Sequence, residues 1–122
     1  MIHYMNLHPQ PFSMIACGAK TIELRLLDEK RKQICVGDTL VFTNTQDSCT
    51  LSCTVKKLHV FTDFEQLYRS LPLDKCGYLP HELATASPKD MEKYYSAEKQ
   101  KNYGVVGIEI ELCSQNAEIK SC

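Results

Sequence analysis

Alternating hydrophobic and polar residues mark the strands of this chain. Successive side chains of a β-strand point to opposite faces, so a strand with one buried face alternates between apolar and polar residues. The alternation is clearest in the second and fourth predicted strands and in the last one. The predicted strands are 1–7 (a strand or an extended arm), 20–27, 39–43, 49–55 and 106–112.

Short helices are predicted between these strands, from residues that favour helix ends. Pro is tolerated in the first helical turn, Ser and Thr accept hydrogen bonds from its free N–H groups, and Gly commonly follows the last turn. Thr62 and Glu65 match a capping box. The expected helix starts are Pro9, Thr62, Ser87 and Ser96, and the expected stops are Gly18, Pro72 and Gly104. Between two of the helices, residues 74–86 form an irregular excursion, a kind of loop that often carries function in a compact domain.

The order of these elements predicts the fold class. Strands at both ends and in the middle, with short helices between them, favour an α+β domain built on a small twisted barrel or curled sheet. A length of 122 residues is enough for one domain with its own core. We therefore expect a single domain over residues 1–113, followed by a polar C-terminal tail over residues 114–122.

Composition narrows the class of protein. The formal net charge is −1, so the overall charge does not indicate nucleic-acid binding. A nucleic-acid partner would have to bind at a local basic patch. The seven cysteines are odd in number and contain no Cys-x-x-Cys pair, which is typical of reduced thiols in a cytosolic protein. No apolar run approaches the length of a membrane span. We expect a soluble cytoplasmic protein; the oligomeric state stays open.

The strand 20–27 carries the densest cluster of candidate binding groups. Its aliphatic residues share one face, and Thr21, Glu23 and Arg25 share the other, with Lys20 at the corner where the preceding helix ends. A cation, a carboxylate and a hydroxyl group on one rigid strand can recognise a polar ligand. The alternative is an exposed sheet face with a weak Glu–Arg pair that contributes roughly 0–1 kcal/mol.

Other chemical signals are sparse. The chain has no Gly-rich phosphate loop, and its four histidines lack metal-ligand spacing, so no metal site is predicted. Most aromatic residues are expected in the core, with Tyr78 and Tyr103 as exposed exceptions that could stack on a base. The charged connector over residues 28–33 is either a solvated turn or a contact for a phosphate backbone.

An ordered set of motifs resembles a known family. The opening is similar to the helix and the Gly-x-Lys-x-x-Glu-x-Arg signature of the ASCH domain, the activating signal cointegrator homology domain, and the similarity covers roughly residues 5–112. The matching pieces are Pro11-Phe12, Ile15, Gly18, Lys20 to Arg25, Asp28 to Arg31, Val36-Gly37-Asp38, Phe64 to Tyr68, Gly77-Tyr78, Met91 to Ser96 and Tyr103 to Ile108.

The resemblance implies a small PUA-like mixed β-barrel with short flanking helices. It places Lys20, Glu23 and Arg25 at a cleft proposed for the family to bind RNA or a modified nucleoside. One branch of the family resembles small amidohydrolases that deacylate N4-acetylcytidine with a Lys-x-x-Thr pair and a distant Glu. Lys20 fits that pattern, but Glu23 stands where the nucleophilic Thr would be, and a carboxylate cannot replace an activated hydroxyl in acyl transfer.

The residues lead to two hypotheses about function, a binding module and an enzyme, and the sequence does not decide between them. In a binding module, Lys20 and Arg25 hold a phosphate or a base carbonyl, Glu23 accepts from an exocyclic amine, and Tyr78 or Tyr103 stacks on the base. The alternative is a small hydrolase in the same cleft. That enzyme is either an amidohydrolase with Lys20 as base and Thr21 or water as nucleophile, or a ribonuclease using Glu23, with Glu82 as partner carboxylate.

No cofactor is expected, except a divalent metal if the ribonuclease alternative holds. The partner is expected to be RNA or a modified nucleoside. An adaptor that binds protein is a third and less specific hypothesis.

Overall fold

The computed structural model describes residues 1–113, in which five strands form one curled sheet in the order β1-β3-β4-β5-β2. Strands β1 and β3 run parallel, and every other neighbouring pair is antiparallel. Strands β1 and β2 are therefore the two edges of the sheet. The bounds are β1 (Ile2–Leu7), β2 (Ile22–Leu26), β3 (Thr39–Asn44), β4 (Thr50–Phe61) and β5 (Val105–Leu112).

Short helices connect the strands, and the fold is α+β as predicted. The α-helices are α1 (Pro9–Ala16), α2 (Phe64–Ser70) and α3 (Ala97–Tyr103). The 3-10 helices are Arg31–Gln33, Leu73–Cys76, Pro80–Thr85 and Pro88–Lys93. We call residues 73–95 the roof segment, because they cover the mouth of the curled sheet. The predicted C-terminal tail lies outside the described residues.

Several predicted boundaries differ from the structure, and two of the differences have a clear physical reason. Strand β4 continues to Phe61, beyond its predicted end at residue 55. A register shift between Val55 and Lys57 admits an extra residue, which interrupts the alternation of apolar and polar residues from which the strand was predicted. The predicted capping box at Thr62 is wrong by one residue. Asp63 is the N-cap of α2, and its side chain accepts from the backbone N–H of Gln66 at 2.9 Å.

The predicted helix starts at Ser87 and Ser96 are confirmed. Each hydroxyl accepts from a backbone N–H of the following turn, and Ser87 begins a 3-10 helix. The predicted irregular excursion is confirmed as well, because residues 73–93 hold only short 3-10 helices.

The core lies on both sides of the sheet. One cluster joins α1 to strands β1, β3 and β4, and a second packs the aliphatic face of β2 on Phe64 and Leu67 of α2. Gly107 permits the close approach of the segment after α2, since a Cβ there would lie 2.6 Å from the Cδ1 atom of Leu71. Strand β2 is consequently buried on its aliphatic face, as the alternation predicts.

Within residues 1–113, no two cysteines form a disulfide bond, and no helix is long and apolar enough to cross a membrane. The same residues hold no group of three or more His, Cys, Asp or Glu side chains that could bind a metal ion.

Candidate functional site

Three charged side chains meet on the second face of β2, and we call Lys20, Glu23 and Arg25 the charged trio. The Lys20 Nζ atom lies 2.7 Å from Glu23 Oε1, and Arg25 Nε donates to Glu23 Oε2 over the same distance. Only 3% of Glu23 and 9% of Lys20 are exposed. The alternative of an exposed sheet face with a weak ion pair is therefore wrong.

Local sequence explains how the trio is assembled. Glu23 and Arg25 are two apart on a strand and share a face. Gly18 ends the α1 region with φ at +85°, and the Lys20 N–H then donates to the Met14 carbonyl at 3.0 Å. This corner turns the Lys20 stem toward the face that carries Glu23.

Glu23 and Arg25 keep their charges. Burial raises the pKa of Glu23, but Lys20 and Arg25 together outweigh that effect and hold the pKa below its usual value. Burial lowers the pKa of Arg25, whereas Glu23 and the neighbouring Tyr95 phenol raise it, and the net shift is upward. Two cations and one anion thus share a buried site, which leaves one positive charge in excess.

The trio also joins the two edges of the sheet. Arg25 Nη2 donates to the Asn6 carbonyl of β1 at 2.9 Å, and Lys30 Nζ donates to the Tyr4 carbonyl at 2.7 Å. These bonds satisfy two carbonyl groups on an edge strand, where unpaired backbone groups would otherwise invite pairing with another chain. They also fix Arg25 at the mouth of the half-barrel.

A cavity of about 580 Å³ opens above the trio. Its floor is the charged trio, one wall comes from the β1–α1 corner, and its cover is the roof segment. Gly77 lets the roof approach the floor. A Cβ on this glycine, whose φ is +108°, would lie 3.3 Å from Cδ of Lys20. The roof backbone therefore packs directly on the lysine stem.

A hydrogen-bonded chain holds the roof in place. The Tyr78 hydroxyl donates to Asp90 Oδ2 at 2.7 Å and lies 2.7 Å from the Tyr68 hydroxyl, which must then donate to Tyr78. The backbone N–H of Ser87 donates to the same Asp90 oxygen at 3.1 Å. The Tyr78 bond, more than any other contact, holds the pKa of Asp90 below its usual value. Burial raises the pKa of Tyr68 to about 12.

Comparison with known proteins identifies the family. The model of the ASCH domain matches residues 5–114. This chain belongs to the ASCH domain family. The match confirms the resemblance seen in the sequence, and nearly all of the described chain lies within it.

Solved structures agree with this assignment. The crystal structure of the hypothetical protein PH0355 is 33% identical, with a TM-score of 0.77, and the match covers 93% of this chain and all of that one. The solution structure of protein PF0455 from Pyrococcus furiosus is also 33% identical, with a TM-score of 0.69, covering 93% of this chain and 99% of that one. A search of curated proteins gave no significant match.

A more distant structure supports the fold alone. A variant of the ASCH protein from Zymomonas mobilis is 12% identical, with a TM-score of 0.64, and the match covers 90% of this chain and 67% of that one. The curled half-barrel of this ASCH domain is thus the PUA-like fold that the sequence predicts.

The structure brings most of the predicted site residues of this ASCH domain together. Lys20, Glu23, Arg25, Tyr78 and Glu82 all line the cavity. One carboxylate oxygen of Glu82 already has a partner, because Oε1 accepts a hydrogen bond from the backbone N–H of Leu79 at 2.8 Å.

Two predicted residues lie elsewhere. Thr21 and Tyr103 are not among the residues that line the cavity. The backbone of Thr21 bridges two segments, since its N–H donates to the Lys75 carbonyl and its carbonyl accepts from Ile110. Tyr103 is the last residue of α3 and is 40% exposed.

Sequence reasoning missed three residues that touch the site. The sequence assigns no role in the site to Asp90, Tyr95 or Asn6. Asp90 and Tyr95 line the cavity, and Asn6 contributes both a side of it and the carbonyl that Arg25 binds. In the sequence, Asp90 is recognisable as part of a helix cap. That position indicates that its carboxylate is held rigidly, but it does not indicate which groups lie opposite the carboxylate.

The charged connector of the ASCH domain is largely neutralised by its own acids. Arg31 Nη1 lies 2.8 Å from Asp28 Oδ2, and Lys32 Nζ lies 3.5 Å from Glu29 Oε1. Lys30 is bound to the Tyr4 carbonyl, as described above. These contacts favour the solvated-turn interpretation over a dedicated site for a phosphate backbone.

Proposed function

We propose that this ASCH protein binds a nucleobase in the cavity above β2, either in a free or modified nucleoside or in an unpaired nucleotide of RNA. The observation that carries the proposal is the buried charged trio at the floor of a cavity. Buried ion pairs are costly to build and are seldom a source of net stability, so their presence at a cavity favours a binding role.

The size of the cavity supports a ligand of this class. A volume of about 580 Å³ falls within the range of small-molecule sites. In RNA, only an unstacked base of a single strand, loop or end could enter such a site, because bases inside a duplex are not accessible. The proposal therefore favours nucleosides and single-stranded RNA over double-stranded RNA.

The contacts also support a separate role for each member of the trio. Both oxygens of Glu23 already accept from cations, so its role is to orient Lys20 and Arg25. The two cations then present their remaining N–H groups to a carbonyl, a ring nitrogen or a phosphate of the ligand. In this arrangement Glu23 is not available to the exocyclic amine of a base, which needs a different acceptor.

Binding is better supported than hydrolysis. The candidate nucleophile Thr21 does not line the cavity, and Glu23, with a lowered pKa and both oxygens engaged, is a weak general base. An amidohydrolase or a ribonuclease acting in this cleft stays the alternative, and the same experiment distinguishes it. The described residues form no disulfide bond with one another, which is typical of a reducing compartment such as the cytoplasm.

Isothermal titration calorimetry with a set of nucleosides and short single-stranded RNAs tests the proposal. Lys20→Met removes the ammonium but keeps the stem on which Gly77 packs, and it should weaken binding at least tenfold, because one charge-assisted hydrogen bond is lost. Lys32→Met is the control, because this lysine lies on the connector. Unfolding temperatures establish that both variants are folded.

The outcomes separate three functions. Binding that weakens only in Lys20→Met supports the base-binding site. Equal loss in Lys32→Met would move the RNA contact to the connector. Conversion of N4-acetylcytidine or RNA by the wild-type protein, lost in Lys20→Met, would establish the hydrolase instead, and no binding of any probe would refute the proposal.

A further inference from the structure

We infer that Tyr95 is a further binding residue of the cavity, whose hydroxyl donates a hydrogen bond to an oxygen of the ligand beside Arg25. This inference rests on the proposed function and deepens it, because it adds a neutral donor from the roof to the two cations of the floor. The group that Tyr95 takes is an acceptor oxygen, which can belong to a base or ribose or to a phosphate of an RNA strand.

The contact with Arg25 leaves the Tyr95 proton available to a ligand. The two side chains form a hydrogen bond, which contributes to the raised pKa of Arg25. A guanidinium group has only donors, so the phenol oxygen of Tyr95 is the acceptor in that bond. The proton on the phenol must point to another group, and no side chain or carbonyl within residues 1–113 accepts it. Since Tyr95 lines the cavity, a ligand there can be that acceptor.

The other tyrosines that line the cavity differ from Tyr95. Tyr68 donates to Tyr78, and Tyr78 donates to a carboxylate of the roof, so both of these protons already have acceptors. Tyr94 is 55% exposed, and the Lys93 ammonium lies 5.1 Å from the centroid of its ring. Among these four residues, Tyr95 is thus the one whose hydroxyl is held by a cation of the floor.

Packing holds the Tyr95 ring in place. The ring stacks on the fully buried Phe64, with the two centroids 6.2 Å apart and the two planes at 16°. The backbone N–H of Tyr95 donates to the Met91 carbonyl at 3.0 Å, and the Tyr95 carbonyl accepts from Gln100 Nε2 over the same distance. A donor that is already held in position loses little conformational entropy when a ligand binds.

Arg25 also strengthens the Tyr95 donor. A hydroxyl group that accepts from a guanidinium is polarised, and the hydrogen bonds of such a chain reinforce one another. The excess positive charge of the floor attracts a ligand group with a negative or partly negative charge. An acceptor oxygen beside Tyr95 therefore meets both the O–H donor and the positive potential of the floor.

Calorimetric titration of the four common ribonucleosides and of the single-stranded RNA ACUGACUG tests this inference. Tyr95→Phe removes the hydroxyl but keeps the ring that stacks on Phe64, and it should weaken binding at least about fivefold, because a polarised hydrogen bond is lost. Tyr103→Phe is the matched control, because Tyr103 does not line the cavity, and its affinity should stay within about twofold of wild type. Unfolding temperatures establish that both variants are folded.

Nuclear magnetic resonance separates a direct contact of Tyr95 from an effect through Arg25. Wild-type protein is labelled with 13C at Cζ of tyrosine, and the resonances are assigned through the backbone, so this measurement needs no variant. Because the Cζ shift responds to the hydrogen bonds of the hydroxyl, saturation with the tightest-binding probe should move the Tyr95 resonance more than that of Tyr103. A residue that only holds Arg25 in place would show no such difference.

Each outcome supports or overturns the inference. A loss of affinity confined to Tyr95→Phe, together with the shift of its resonance, supports it. Loss with nucleosides and RNA alike assigns the acceptor oxygen to the base or ribose, and loss with RNA alone assigns it to a phosphate.

An unchanged affinity in Tyr95→Phe, an equal loss in Tyr103→Phe, or a Tyr95 resonance that does not move overturns this inference and leaves the proposed function standing. If the wild-type protein binds none of these probes, the proposed function falls, and this inference falls with it.

Discussion

Replacing Glu23 by Gln tests whether the charged trio is an interdependent buried network. The substitution keeps the size of the side chain but leaves Lys20 and Arg25 buried with two positive charges and no counter-charge. Only 3% of Glu23 is exposed, so solvent does little to screen this change. Removing one partner of a buried ion pair typically costs about 3–5 kcal/mol. For a domain of this size, that loss lowers the unfolding temperature by roughly 10–20 °C.

Urea unfolding monitored by circular dichroism measures the effect, with Glu111→Gln as the control. Glu111 lies on β5 and pairs with Lys56 at 3.4 Å, and both side chains are more than half exposed. The control substitution should therefore cost no more than about 1 kcal/mol. An unchanged dependence of the free energy of unfolding on urea would show that the variants unfold from the same native state.

The dependence on pH gives a second readout. The pKa of Glu23 is lowered from 4.5, so its ionisation stabilises the folded protein above that value, and this stabilisation is lost as pH falls through the folded-state pKa. The stability difference between wild type and Glu23→Gln should be largest near neutral pH and should shrink below about pH 4.5. A cost under 1 kcal/mol, or a difference independent of pH, would refute the reasoning.

Two further substitutions test local features of the fold. Gly77→Ala and Gly37→Ala place a side chain at similar positive φ values of +108° and +94°, so each should lose about 1 kcal/mol of stability. Only Gly77→Ala pushes on Lys20, so calorimetry should show weaker ligand binding in this variant alone; equal affinities would contradict the packing of the roof on the lysine. Asp63→Ala removes the N-cap of α2 and should cost about 1 kcal/mol in urea unfolding. Thr62→Ala should cost less stability than Asp63→Ala. A larger loss in Thr62→Ala would instead support Thr62 as the N-cap, as the capping box predicted from the sequence requires.

The sequence was informative where structure is set by near neighbours. Alternation placed Glu23 and Arg25 on one face of β2 because residues two apart on a strand always share a face. Gly18 and Ser96 marked helix ends through local backbone and hydrogen-bonding preferences. The contents of the cavity floor were therefore predictable from fewer than ten consecutive residues.

The rest of the site depends on contacts between distant segments. No local pattern shows that the Asn6 carbonyl of β1 lies beside Arg25, since that contact exists only because the sheet curls its two edges together. The Tyr78–Asp90 bond joins residues twelve apart across two 3-10 helices, so local pattern does not bring them together. The burial of Glu23 was also missed, because alternation predicts which residues share a face but does not predict what covers that face.

A structure of the protein with cytidine tests the central claim most directly. The account predicts that the base lies in the cavity, with an acceptor about 3 Å from Lys20 Nζ or from a guanidinium nitrogen of Arg25. Cytidine bound outside this cavity, or bound inside it without contact to either cation, would contradict the account.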